Sequence, residues 1–164
     1  MPDLRRRDLL GLREGGEGTI TGTVVCAAAI AYAAGHVDSS WELSGIILGT
    51  VLVYWLAHLH AVTLGSAMTR GHHPLAAFRH ALGETWPIAG ASVVPLAVLL
   101  VAELLGAELR TAAWVALTAT VGLLGVYSYI AGVRGGLDTG GRILSALAGL
   151  ALGLLVVLLK VGLH

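Results

Sequence analysis

Two histidines, His58 and His60, interrupt a stretch from Leu43 to Thr69 that holds no Asp, Glu, Lys or Arg. Imidazole is the least costly ionisable side chain to place among apolar residues. Neutral, it donates from one ring nitrogen, accepts at the other, and changes charge near neutral pH. The segment Tyr54-Trp55-Leu56-Ala57-His58-Leu59-His60 is therefore the part of the chain best suited to take up a proton or a small ligand. Residues two apart on a helix are separated by about 200°, so His58 and His60 cannot face one cavity or chelate one ion. Tyr54 lies one turn before His58 and can hydrogen-bond it. His60 shares its stripe with Gly49, Leu56, Thr63 and Ala67, small and hydroxyl neighbours suited to close helix packing. His58 is the expected proton- or ligand-sensitive group. The competing expectation is that both histidines bond to carbonyls or hydroxyls of adjacent helices.

A second set follows between Gly71 and Pro87. Pro74 suits the first turn of a helix, and Leu75, Phe78, Leu82 and Trp86 then fall on one apolar face. Opposite that face lie His73, His80 and Glu84, spaced seven and four apart. Two imidazoles and a carboxylate can hold zinc or another divalent metal, although a solvated polar face predicts the same stripe. A third set, Thr118, Gly122, Gly125, Tyr129 and Gly132, puts small and hydroxyl groups on one side of a later helix. Such a face serves as a helix contact or, with Thr118 and Tyr129, as the lining of a path.

Motifs that would mark an enzyme are missing. There is no phosphate-cradling loop ending in Lys-Ser or Lys-Thr, no His-Glu-x-x-His, no Gly-x-Ser-x-Gly, and no acidic pair inside an apolar stretch. The lone cysteine, Cys26, excludes an intrachain disulfide and a cysteine-based zinc site. Zero formal net charge gives no basic excess for nucleic acid. An enzyme, a metal-dependent one acting on lipid through His73, His80 and Glu84, ranks behind two non-catalytic expectations. The first is a small channel or transporter for an ion, proton or small solute, with Tyr54, His58, His60, Thr118 and Tyr129 along its path. The second is an accessory or regulatory membrane protein that engages a protein partner or lipid.

The elements that must position these residues follow from composition. Hydrophobic residues make up 56% of the chain and charged residues 12%, with a mean hydropathy of +0.82. A soluble domain carries about twice that share of charge. A membrane-crossing helix needs about 20 mainly apolar residues. Five stretches meet that need: Gly18 to Gly35, Leu43 to Thr69, Trp86 to Ala102, Thr111 to Val133, and Ile143 to Leu159, the last extending through a snorkelling Lys160. The fold class expected is an all-α, polytopic membrane helical bundle of about five transmembrane helices in a single domain over 1–164. One cytoplasmic, interfacial amphipathic helix, about 74–85, is added to it.

Arg5, Arg6, Arg7, Arg13, Arg70, Arg79, Arg134 and Arg142 lie on one side of this arrangement, and only Arg110 and Lys160 on the other. Basic residues in short loops stay in the cytoplasm, which puts the N-terminus inside and the C-terminus outside. Arg6-Arg7-Asp8-Leu9-Leu10 also resembles a twin-arginine export signal, with Ala31-Tyr32-Ala33 as a cleavage site. Arg13, Glu14 and Glu17 break the passage into its apolar region, so an anchoring flank is the preferred reading. The predominance of arginine over lysine fits a GC-rich bacterial genome and an inner-membrane location.

Small residues at intervals of four, Ala27, Ala31 and Gly35, Gly45 and Gly49, and Ser145, Gly149 and Gly153, predict helix-packing seams and a homo-oligomer in the lipid bilayer. Pro95 removes a backbone donor in the third span, leaves the carbonyl near Ala91 unpartnered, and predicts a kink there.

Overall fold

The computed structural model describes residues 17–70 and 74–162. Helix accounts for 89% of them and no strand is present among them. Among the described residues six helices follow one another: α1 Glu17–Ala33, α2 Ser40–Arg70, α3 Pro74–Gly90, α4 Val93–Leu104, α5 Leu109–Arg134 and α6 Thr139–Gly162. Four helical stretches are long and apolar enough to cross a membrane: Ser40–Met68, Leu75–Leu104 across α3 and α4, Leu109–Arg134 and Thr139–Gly162. The described part of α1 is apolar but shorter.

Short connections with definite turn chemistry reverse the chain between these helices. Ser39 opens α2 by accepting from the Glu42 N–H at 3.2 Å, and Asp138 opens α6 by accepting from the Gly141 N–H at 3.0 Å. At the ends of α4 and α5 the chain enters the left-handed region at Gly106 (φ 87°) and Gly136 (φ 73°). There Ala107 N–H reaches back to Ala102 O and Leu137 N–H to Gly132 O, satisfying carbonyls that a helix end leaves free. A side chain with a Cβ is strained at either glycine.

The third span differs from expectation at its start. Helix α3 runs unbroken from Pro74 through Trp86 and Pro87 to Gly90, so the segment about 74–85 is not set apart as a separate interfacial element. The interruption falls at Ala91 and Ser92. Pro95 is the third residue of α4, and the Leu96 N–H is the first in that helix to find an intrahelical acceptor, Ser92 O at 3.1 Å. Breaking the helix just before Pro95 places the missing donor where no partner is required.

Helix α1 is the hub. It packs against α2, α3, α5 and α6, and Thr19, Thr23, Cys26, Ala27, Ile30 and Ala33 on it are fully buried. Around them close Leu43 and Ile47 of α2, Leu99 of α4, and Ala112, Ala116 and Leu117 of α5. The buried hydroxyls return to their own helix: Thr23 Oγ1 donates to Thr19 O at 2.7 Å and Thr120 Oγ1 to Ala116 O at 2.6 Å. The outer faces are the opposite of a soluble protein's. Leu144, Leu147, Leu154, Leu155, Leu158 and Leu159 stand exposed along α6, and Leu48, Leu52, Val53, Leu56 and Leu64 along α2. Apolar surface this continuous requires cover by lipid or protein.

Candidate functional site

Tyr54, His58 and Val62 occupy successive turns of α2, so one stripe of that helix carries all three. They face a cavity of about 330 Å³ whose other walls are Glu17, Gly18 and Thr21 at the start of α1, and Glu84, Pro87 and Ile88 on α3. Length sets this register. The 31 residues of α2 span about 46 Å at 1.5 Å per residue, whereas the described part of α1 spans about 25 Å. Because α1 packs beside α2, its first described turn meets α2 well inside that helix rather than at its end.

The α2–α3 wall is fixed by a hydrogen-bond chain. Trp55 Nε1 donates to Thr85 Oγ1 at 3.2 Å, and Thr85 Oγ1 donates in turn to Ala81 O at 2.8 Å. Trp55 and Trp86 meet edge to face with ring centroids 5.9 Å apart. Neighbouring residues of α2 and α3 are thereby locked, which sets where His58 and Glu84 stand. The Tyr54 and His58 rings are stacked, with centroids 6.2 Å apart and planes 14° from parallel. Their contact is therefore ring to ring and not the hydrogen bond anticipated from the spacing.

Two carboxylates and one imidazole line this one cavity, so acidic groups outnumber basic ones along its described walls. Glu84 Oε2 also lies 3.4 Å from His80 Nδ1 one turn earlier, so this carboxylate can be shared between the cavity and an exposed histidine. The chemistry available is proton uptake and attraction of a small cation. Thr21 Oγ1 donates to Glu17 O at 2.9 Å, which leaves its oxygen lone pairs as acceptors.

The remaining expected site residues are dispersed. His60 is exposed on the other side of α2 from His58. Thr118 is exposed and donates to Trp114 O, Tyr129 is exposed at 41%, and Gly122 has open space beside it. Gly125 and Gly132, expected on the same face, instead pack against Leu150 and against Arg142 and Ser145 of α6. Helix α5 is occupied by α1, α4 and α6, while α2 rests on α3 and α1. Thr118 and Tyr129 thus do not join Tyr54, His58 and His60 in one lining. Of the metal stripe, His73 lies outside the described residues, and His80 and Glu84 form the pair already given. Among the described residues no three His, Cys, Asp or Glu side chains are grouped closely enough to hold a metal ion.

Glu17 and Thr21 are the site residues that sequence reasoning missed. Their spacing of four on the first turns of α1 was the available signal, but nothing in it says that this end of α1 reaches Tyr54 and His58. Comparison of the chain with known protein families, with curated proteins and with solved structures finds no match.

Proposed function

We propose that the chain is a multi-span membrane protein that carries a proton, an ion or another small solute across a bilayer, with His58 as the group that binds and releases it. The observation behind this reading is that His58 lines one cavity together with Glu17 and Glu84, on a helix long and apolar enough to cross a membrane. Ionisable groups in such a helix are costly, and they cluster around water where they serve transport. Beyond the cavity, Thr23, Cys26, Ala27 and Ile30 of α1 are sealed against Leu43 and Ile47. A packed barrier of this kind favours a carrier that opens to one side at a time over a standing pore.

In this reading the N-terminus is cytoplasmic and the C-terminus outside, because the arginine distribution favours that orientation. The cavity then faces the cytoplasm of a bacterial inner membrane. Gly45 and Gly49 lie exposed on α2 with nothing within 4 Å of where a Cβ would stand, and this unused seam supports a homo-oligomer. Proton flux into liposomes containing the purified chain, driven by an imposed potassium potential, tests the proposal. His58→Ala and Glu84→Gln should each reduce flux several-fold while the helical content is retained. Flux equal to that of empty liposomes in the parent protein, or unaltered flux in both variants, refutes it.

A second reading rests on a different observation. Leu75, Phe78 and Trp86 on α3 remain 69%, 44% and 51% exposed on one side of the helix. That face supports an accessory role in which α3 engages a membrane or cytoplasmic protein partner, with Arg79 at its edge. Arg79→Glu should then abolish capture of a partner that the parent chain retains. A zinc or other divalent site through His73, His80 and Glu84, and the lipid-modifying activity it would serve, is tested by elemental analysis of the purified chain.

A further inference from the structure

At the opposite end of α1, where the turn into α2 meets the start of α5 and the end of α6, lies a second cavity of about 730 Å³. Four charged side chains line it: Asp38, Glu108, Arg110 and Lys160. Among the described residues none of the four is engaged in an ion pair, the pair His80 and Glu84 being elsewhere. Lys160 is held at the wall by Trp114, with Nζ 5.1 Å from the ring centroid. Arg110 lines the same space, so two cations and two carboxylates face one cavity.

Two positive and two negative groups give the cavity no net formal charge. A simple anion attracted to Arg110 and Lys160 is opposed by Asp38 and Glu108, and a simple cation meets the reverse. A ligand that carries both charges on separated groups satisfies both pairs. The volume lies within the range of small-molecule sites.

We propose that this cavity binds a phosphate-ammonium zwitterion, its phosphate between Arg110 and Lys160 and its ammonium towards Asp38 and Glu108. Two sources have this chemistry, the headgroup of a phosphatidylethanolamine and free phosphoethanolamine. Val37, Leu109 and Val161 on the wall, and the exposed Leu104 and Leu105 shortly before Glu108, suit acyl chains. The site is independent of the His58 cavity and stands whether or not that cavity transports anything.

Calorimetric titration of the full chain in a neutral detergent tests it, with three ligands: short-chain phosphatidylethanolamine, short-chain phosphatidylglycerol and phosphoethanolamine. Phosphatidylethanolamine should bind, with Arg110→Gln and Lys160→Gln each weakening it by about tenfold or more, the loss of one charge-assisted contact. Asp38→Asn with Glu108→Gln should bring its affinity down to that of phosphatidylglycerol, which lacks the ammonium. Arg110→Lys and Lys160→Arg should retain most of the binding, separating lost charge from lost fold. Comparable affinity for phosphoethanolamine identifies a free solute, and binding of the lipid alone identifies a membrane lipid; either upholds the site. No binding of any of the three, equal binding of the two lipids by the parent chain, or indifference to the Arg110→Gln, Lys160→Gln double variant overturns it.

Discussion

Helix α6 packs tightly on α5 at Gly149, and replacing that glycine by alanine gives a graded test of how the bundle is packed. A Cβ on Gly149 would stand 2.5 Å from the Leu124 carbonyl oxygen and 2.9 Å from Ser128 Cβ, with Ser128 Oγ closer still. The carbonyl belongs to a helix backbone and cannot rotate aside, so restoring van der Waals contact requires the two helices to part by roughly 1 Å. Overpacking of this kind costs about 1–3 kcal/mol, offset by up to about 1 kcal/mol because alanine is the better helix former. Gly149→Ala should therefore lose about 1–2 kcal/mol, a factor of about 5–30 in the unfolding equilibrium. At Gly125 the added carbon meets Leu150 Cγ at 2.8 Å, part of a side chain that can turn, so Gly125→Ala should cost less. At Gly45 nothing lies within 4 Å, and Gly45→Ala should be neutral or stabilise by up to about 1 kcal/mol in the isolated chain. Unfolding by sodium dodecyl sulfate in mixed micelles, followed by helical circular dichroism, measures all three. A Gly149→Ala protein as stable as the parent, or a Gly45→Ala loss as large as that at Gly149, refutes the packing described.

Three further outcomes follow from particular contacts. Trp55→Phe removes the indole donor to Thr85 while keeping the aromatic contact with Trp86, and should cost about 0.5–1.5 kcal/mol in the same micelle titration. Ser44 Oγ is buried without a hydrogen-bond partner among the described residues, so Ser44→Ala should leave stability unchanged or raise it by about 1 kcal/mol; a loss above that would reveal a partner. Pro95→Ala should change stability by less than about 1 kcal/mol, far below the roughly 3 kcal/mol tied to proline inside a helix, because its position in α4 needs no donor.

Four of the five apolar stretches were legible because each is bounded by charge or by Gly, and α1, α2, α5 and α6 coincide with them to within a few residues, whereas the stretch from Trp86 to Ala102 begins inside α3 and crosses into α4. The break before Pro95 was legible too, since its cause is local: a missing donor and the carbonyl it leaves free. The continuity of α3 through Trp86 and Pro87 was not, because the amphipathic pattern up to Glu84 and the apolar run after it look like two elements. Nor was the central place of α1. In water the apolar face of a helix is its buried face, but in lipid both faces are apolar, so hydropathy does not separate core from lipid contact. Small-residue spacing carried part of that information. It marked Gly149 and Gly153 as a seam that packs on α5, yet grouped the exposed Thr118 and Tyr129 with Gly125 and Gly132, which pack against α6. For the site, Tyr54 and His58 were legible as one stripe of one helix. Glu17 and Thr21 depend on the register between α1 and α2, which no local pattern encodes.

Accessibility of residue 58 relative to residue 60 reads out whether His58 faces a hydrated cavity. Cys26 is buried, so a Cys26→Ala background followed by His58→Cys or His60→Cys places one reactive thiol at a time. Both variants are exposed in membrane vesicles to a charged, membrane-impermeant maleimide from the cytoplasmic side. The thiol at 58 should be modified, and the thiol at 60, on the outer face of α2, should not. Modification at 60 with protection at 58 would contradict that placement.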